Sequence, residues 1–106
     1  MTDRTDERVL IVEARFYRDF ADQLHAGAAA ALDAAGVAHD RLAVPGAFEL
    51  PGAIRFALAE ATAPRYAGFV ALGCVIQGET DHYDYVCGET SRGLMDLVLR
   101  HGIALG

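Results

Sequence analysis

The sequence predicts a single α/β domain in which helices cover a parallel β-sheet. Short apolar runs rich in β-branched residues alternate with segments whose apolar residues have helical spacing. Glycine or proline stands at the junctions between these segments. The length of 106 residues, with 53% hydrophobic and 23% charged residues, is enough for one core. The order βαβαβα, with a further strand beginning at the end, calls for parallel strands joined by right-handed crossovers.

The first two strands and the helix between them are indicated by residues 8–44. Arg8–Val12 is a strand buried on both faces, and Phe20–Ala35 is an alanine-rich helix with Gly36 in the position of a C-terminal cap. Arg41–Val44 is a second strand, which the following Pro-Gly pair stops.

The second half repeats this alternation. A helix begins near Glu49–Pro51 and ends before Pro64, and Gly68–Val75 is the clearest strand. A third helix fits Tyr83–Arg100 and ends at Gly102, after which Ile103–Leu105 opens a fourth strand. The inner face of the third helix is predicted to carry four apolar residues, Val86, Leu94, Leu97 and Val98. We expect the sheet to need further chain beyond this last strand.

Charge and composition exclude several classes of function. With a net charge of −6 and only nine lysines and arginines, the chain cannot form a dense basic surface for nucleic acid. No apolar run approaches the ~20 residues of a membrane span, and the polar N-terminus lacks a signal-peptide core. Cys74 and Cys87 lack metal or redox spacing and are expected to be reduced thiols in a cytoplasmic protein.

Three segments follow the predicted strands and should meet at one edge of the sheet. They are Glu13–Tyr17, Pro45–Pro51 and Ile76–His82. In an open parallel sheet, ligands bind beyond the carboxyl ends of the strands, so these segments are the candidate site.

The last of these segments has two interpretations. The N–H groups of this turn and the dipole of the helix that follows favour an anion such as phosphate, and Thr80 can add a hydroxyl donor, although the carboxylates of Glu79 and Asp81 oppose an anion. Alternatively, Thr80 or Asp81 is an ordinary N-cap. His82 is either a proton-transfer residue or a structural side chain.

The other two segments are equally open. Phe48 and Glu49 either stabilise the start of a helix or form a hydrogen-bonding edge for a polar ligand. Phe16 is either core or a stacking surface for a flat ring. His25, His39 and His101 are expected on helix surfaces or turns, without metal-ligand spacing to His82, so no metal or other cofactor is predicted.

Taken together, three motifs identify a resemblance. "RFY", "VPGAFELP" and "ALGCVIQGETDHYDYVCGE", in this order and at these separations, strongly resemble the 6,7-dimethyl-8-ribityllumazine synthase family of riboflavin biosynthesis, and the similarity runs from Val9 to Gly106. The resemblance implies a flavodoxin-like three-layer sandwich around a four-stranded parallel sheet. It also implies pentamers or assemblies of pentamers, with active sites between adjacent subunits.

The resemblance also implies roles for nine residues. Phe16 would stack on the pyrimidine of 5-amino-6-(ribitylamino)uracil, and His82 would transfer protons. The pyrimidine and ribityl chain would contact Ala47, Phe48, Glu49, Val75 and Ile76. The phosphate of 3,4-dihydroxy-2-butanone 4-phosphate would bind at Glu79 and Thr80.

This chain departs from the family pattern at two positions in the motifs. Gln77 stands where many relatives carry arginine, and Tyr17 where many carry asparagine. Relatives also continue into further segments with basic phosphate-binding residues, so residues 1–106 are expected to be one domain that is incomplete at its C-terminus. The rival interpretations are a non-catalytic flavin- or phosphate-binding module and an inactive shell subunit.

Overall fold

The computed structural model describes residues 7–59, 66–78 and 82–106. Within these stretches, three parallel strands alternate with three α-helices, which confirms the predicted α/β class. None of the described helices is long and apolar enough to cross a lipid bilayer.

The sheet has the strand order β2-β1-β3, in which β1 is Arg8–Ala14, β2 is Ala38–Val44 and β3 is Tyr66–Leu72. Both neighbours run parallel to β1 along its length. Leu105 forms a further parallel bridge to Phe69, supported by a 2.9 Å hydrogen bond from the Phe69 N–H to the Ala104 carbonyl. The chain end therefore extends the order to the flavodoxin-like arrangement, as predicted.

Three helices connect and follow the strands. They are α1, Arg18–Ala34; α2, Leu50–Ala59, which follows a 3₁₀ turn at Ala47–Glu49; and α3, His82–His101. The predicted helix ends at Gly36 and Gly102 are confirmed, since both glycines have the positive φ angles, 70° and 61°, that end helices favourably.

The bounds of all three strands differ from the prediction. β1 ends at Ala14 rather than Val12, since its pairing with β2 continues to Val44, and β3 starts at Tyr66 rather than Gly68, since Tyr66 pairs with Arg8. β2 starts at Ala38 rather than Arg41, because the polar Asp40 accepts hydrogen bonds from Arg8 of the adjacent β1 and from Tyr66 of β3. β3 ends at Leu72 rather than Val75, because its last β1 partner is Glu13, and residues 73–78 continue as irregular chain.

Alternation along β1 divides the protein into layers. Leu10, Val12 and Ala14 point to one face and form the main core with Leu50 and Ile54 of α2, together with Phe69 and Leu97. Glu13 points to the other face, where it meets α1 through His25. The sheet therefore lies between α1 on one side and α2 with α3 on the other.

Candidate active site at the carboxyl ends of the strands

A cavity of about 420 Å³ lies at the carboxyl ends of the three strands, within the range of small-molecule sites. Seven of the nine residues with predicted roles line it: Phe16, Ala47, Phe48, Glu49, Val75, Ile76 and His82. The other two, Glu79 and Thr80, lie outside the described residues. The predicted convergence of three strand ends is thus observed, while the individual roles stay predictions.

The first wall of the cavity is the short connection between β1 and α1. Its aromatic residue Phe16 is 72% exposed and meets the Tyr17 ring edge to face at 4.9 Å. The interpretation of Phe16 as core is therefore wrong for the single chain. A ring this exposed has most of its surface available to a flat ligand.

The second wall is the turn before α2, which is held by reciprocal hydrogen bonds. The Gly46 N–H donates to Glu49 Oε2 at 3.1 Å, and the Glu49 N–H donates to the Gly46 carbonyl at 3.2 Å. The hydroxyl of Thr90, on α3, donates to the Ala47 carbonyl at 3.3 Å. Glu49 thus stabilises the helix start, and a carboxylate has further acceptor sites for a ligand hydroxyl.

Phe48 projects from the same turn toward α3. Its ring stacks on that of Tyr85, with centroids 6.2 Å apart and planes 12° from parallel, and it remains 49% exposed. Phe48 therefore joins the second wall of the cavity to the third helix.

The third wall combines the irregular chain after β3 with the start of α3. Val75 and Ile76 lie in that chain, and Ile76 is 49% exposed. His82 is the first residue of α3, at the positive end of the helix dipole, and it lines the cavity with an exposed side chain. A titratable ring and an electropositive helix end therefore border the same space.

The cavity has lining residues that the sequence did not single out as contacts. They are Tyr17, Pro45, Gly46, Cys74 and Val86. Tyr17, Gly46 and Cys74 adjoin residues with predicted roles and Pro45 is two residues from Ala47, so their position in or next to the motifs was the available signal. Cys74 is half-buried and free, as is Cys87, in agreement with the prediction of unpaired thiols.

The prediction for the remaining histidines was partly wrong. His25 lies on α1 but points inward, with its Nδ1 2.8 Å from Glu13 Oε2, and its side chain is only 20% exposed. His39 lies within β2 rather than in a turn, and it contacts Asp33 at 2.9 Å. His25 was misplaced because its ring lies against the buried carboxylate of Glu13 on β1, and His39 because β2 begins at Ala38.

A larger open groove of about 730 Å³ lies between α2 and α3. It is lined by Arg55, Asp96 and Arg100 among others, and it contains none of the residues with predicted roles. Size alone therefore does not identify the site, and the smaller cavity at the strand ends has the convergent side chains.

Comparison with known proteins gives one consistent family. The sequence model described as 6,7-dimethyl-8-ribityllumazine synthase matches residues 6–106. A protein of that name from Afipia carboxidovorans is 56% identical over 99% of this chain and 66% of its own length. The protein of the same name from Azorhizobium caulinodans is 57% identical over 96% of this chain and 64% of its own length. The one from Paramagnetospirillum magneticum is 54% identical over 93% of this chain and 69% of its own length. The chain thus spans about two thirds of the length of these curated relatives.

Proposed function

Because the chain belongs to the 6,7-dimethyl-8-ribityllumazine synthase family, we propose that it catalyses the condensation of 5-amino-6-(ribitylamino)uracil with 3,4-dihydroxy-2-butanone 4-phosphate. The products are 6,7-dimethyl-8-ribityllumazine, phosphate and water. The observation that carries this proposal is the convergence of seven predicted contact residues on one cavity at the strand ends.

In the proposed complex, the pyrimidine occupies the space beside Phe16. The exposed face of that ring supplies apolar surface for stacking, and the turn at Ala47–Glu49 supplies backbone groups and a carboxylate. Glu49 accepts hydrogen bonds from ribityl hydroxyls while it holds the Gly46 N–H. Val75 and Ile76 close the space around the ring edge.

The phosphate of the second substrate is proposed to bind where α3 begins. The positive end of the helix dipole favours an anion there. The family resemblance implies Glu79 and Thr80 for this contact, and His82 lies two residues after Thr80. This arrangement puts the leaving phosphate near a group able to carry a proton.

The reaction then needs few groups from the protein. The 5-amino group attacks the ketone and forms an imine with loss of water, phosphate leaves by elimination, and ring closure releases a second water. His82 accepts and returns protons during these steps, which typically contributes ~10²–10⁴ in rate. Holding two substrates together contributes up to ~7–11 kcal/mol, so placement is the larger effect.

We also propose that the protein assembles into pentamers, as the family resemblance implies, and acts in the cytoplasm, in line with its free thiols. The exposed apolar side chains on α3, Tyr85, Met95 and Leu99, are between 58% and 76% exposed and suit contact with a second copy. Light scattering at micromolar concentration should give five times the chain mass or a multiple of it. A folded monomer would contradict the assembly.

Turnover tests the activity. The purified protein is mixed with both substrates, and the lumazine chromophore and free phosphate are followed together. Each lumazine should be accompanied by one phosphate, at a rate above that of a heat-denatured control. Pyrimidine binding without lumazine formation would favour the non-catalytic module, and the absence of both binding and turnover would favour the inactive shell subunit.

A further inference from the structure

Glu13 is a fully buried carboxylate that the proposed chemistry does not use. It lies next to the end of β1, and its exposure is 0%. Arg41 of β2 donates from Nη2 to Oε1 at 2.7 Å and from Nε to Oε2 at 3.0 Å. Arg15 Nη1 donates to Oε1 at 2.5 Å, and His25 Nδ1 lies 2.8 Å from Oε2 without hydrogen-bond geometry.

Arg15 connects this carboxylate to the helix on the other side of the connecting segment. Its Nη2 donates to Asp22 on α1, while Nη1 donates to Glu13 on β1. Its backbone N–H donates to the Val44 carbonyl of β2 at 3.0 Å. Arg15 therefore connects β1, β2 and α1.

Phe16 directly follows Arg15 in the sequence. Since the ring is 72% exposed, core packing does not fix it, and its place depends on the backbone on either side. On the far side, the Tyr17 carbonyl accepts from the Ala21 N–H at 2.9 Å, which starts α1. The backbone hydrogen bonds of Arg15 and Tyr17 thus set the position of the Phe16 ring between them.

The energetics of buried charges favour a geometric role for these contacts. Burial alone raises the pKa of Glu13, but the hydrogen bonds from Arg41 and Arg15, with the charges of Arg41 and His25, hold that pKa below its ordinary value. The carboxylate is therefore ionised and fully paired. Replacing such a pair with apolar residues is often neutral for stability. The hydrogen bonds between an arginine and a carboxylate, in contrast, fix the distance and orientation of the two side chains.

A second ion pair in the same sheet provides a contrast. At the amino ends of the strands, Arg8 donates to Asp40 at 2.5 Å and 3.2 Å, and Tyr66 donates to the same carboxylate at 2.9 Å. This cluster also links three strands. It lies at the sheet end opposite the cavity and none of its residues lines that cavity.

We propose that Glu13 and Arg15 are positioning residues for Phe16: by joining β1 to α1, they hold the exposed ring where the pyrimidine stacks. The inference rests on the proposed function, in which Phe16 binds that ring. It adds two residues that do not touch the substrate and act through a third.

A double-mutant cycle on pyrimidine affinity tests this role. The dissociation constant of 5-amino-6-(ribitylamino)uracil is measured calorimetrically for the wild-type protein, Glu13→Gln, Phe16→Ala and the double variant. Glu13→Gln keeps the side-chain shape and removes the charge. We expect it to weaken binding about fivefold to tenfold in the wild-type background and to have no further effect when Phe16 is already alanine.

Asp40→Asn is the control, because it removes another paired carboxylate, one that is 35% exposed, from the other end of the sheet. Its pyrimidine affinity should equal that of the wild type at equal folded fraction. If Glu13→Gln does not fold, Arg15→Gln replaces it in the cycle, since the Arg41 pair of Glu13 then remains.

The outcomes separate the inference from the function on which it rests. Wild-type protein that fails to bind the pyrimidine contradicts the proposed function, and the positioning role with it. Wild-type binding together with unchanged affinity in Glu13→Gln overturns the positioning role alone. An equal loss of affinity with and without Phe16 also overturns it, since the effect would then not pass through that ring.

Discussion

Replacing Phe16 with alanine should weaken pyrimidine binding while leaving the fold intact. The ring is 72% exposed in the free chain, so its removal leaves no large core cavity. A stacked ligand would cover one face, about 70 Å² of a phenylalanine side chain. At ~25 cal/mol per Å², covering that face contributes roughly 1.8 kcal/mol. The energy of aromatic stacking also depends on the relative orientation of the two rings. The expected loss of binding free energy is therefore about 1–3 kcal/mol.

This loss corresponds to an increase of about fivefold to about 150-fold in the dissociation constant. Titration calorimetry with 5-amino-6-(ribitylamino)uracil measures it directly. Phe56→Ala is a matched control, because Phe56 is 77% exposed on α2 and does not line the cavity. Equal affinities for the wild type and Phe16→Ala would refute the stacking role, and an equal loss in Phe56→Ala would show a general effect of removing exposed rings.

Three further predictions concern catalysis, acid stability and helix packing. His82→Ala should lower the rate of lumazine formation by ~10²-fold or more yet leave measurable turnover, since placement dominates; complete loss at unchanged substrate affinity would contradict this. Because the folded-state pKa of Glu13 is lowered from 4.5, its ionised form stabilises the fold above that pH, and this contribution is lost as the pH falls below about 4.5. Urea midpoints of Glu13→Gln should therefore fall less steeply with acid than those of the wild type, and parallel curves would count against the pairing. Gly93→Ala puts a Cβ 3.0 Å from Pro51 and should destabilise by ~1–3 kcal/mol relative to Gly88→Ala, which meets nothing within 4 Å; equal melting temperatures would contradict the close approach of α2 and α3.

Much of the fold could be predicted because its signals are local. The apolar run of β1 and the glycines after α1 and α3 each act through neighbouring residues, and these features were confirmed. The start of β2 was missed because Asp40 is stabilised by partners on other strands. These partners are Arg8 and Tyr66, which are 32 and 26 residues away in sequence. The spacing of apolar residues does not predict such polar pairs.

The candidate site was predictable to a similar extent. Topology alone places three strand ends together, and the motifs there supplied the residues that line the cavity. Two contacts could not be predicted: the stacking of Phe48 on Tyr85, and the inward orientation of His25 toward Glu13. Both depend on how the helices pack against the sheet. Glu13 was predicted to lie in the segment after the first strand, whereas it belongs to β1, where a buried carboxylate requires partners that the sequence does not identify.

We propose that the cavity at the strand ends binds the pyrimidine substrate. A crystal structure of the protein with 5-amino-6-(ribitylamino)uracil tests it most directly. We predict the pyrimidine ring against Phe16, the ribityl chain within hydrogen-bonding distance of Glu49, and His82 beside the remaining space. Ligand density in the groove between α2 and α3, or a strand-end cavity that stays empty at saturating pyrimidine, would contradict the account.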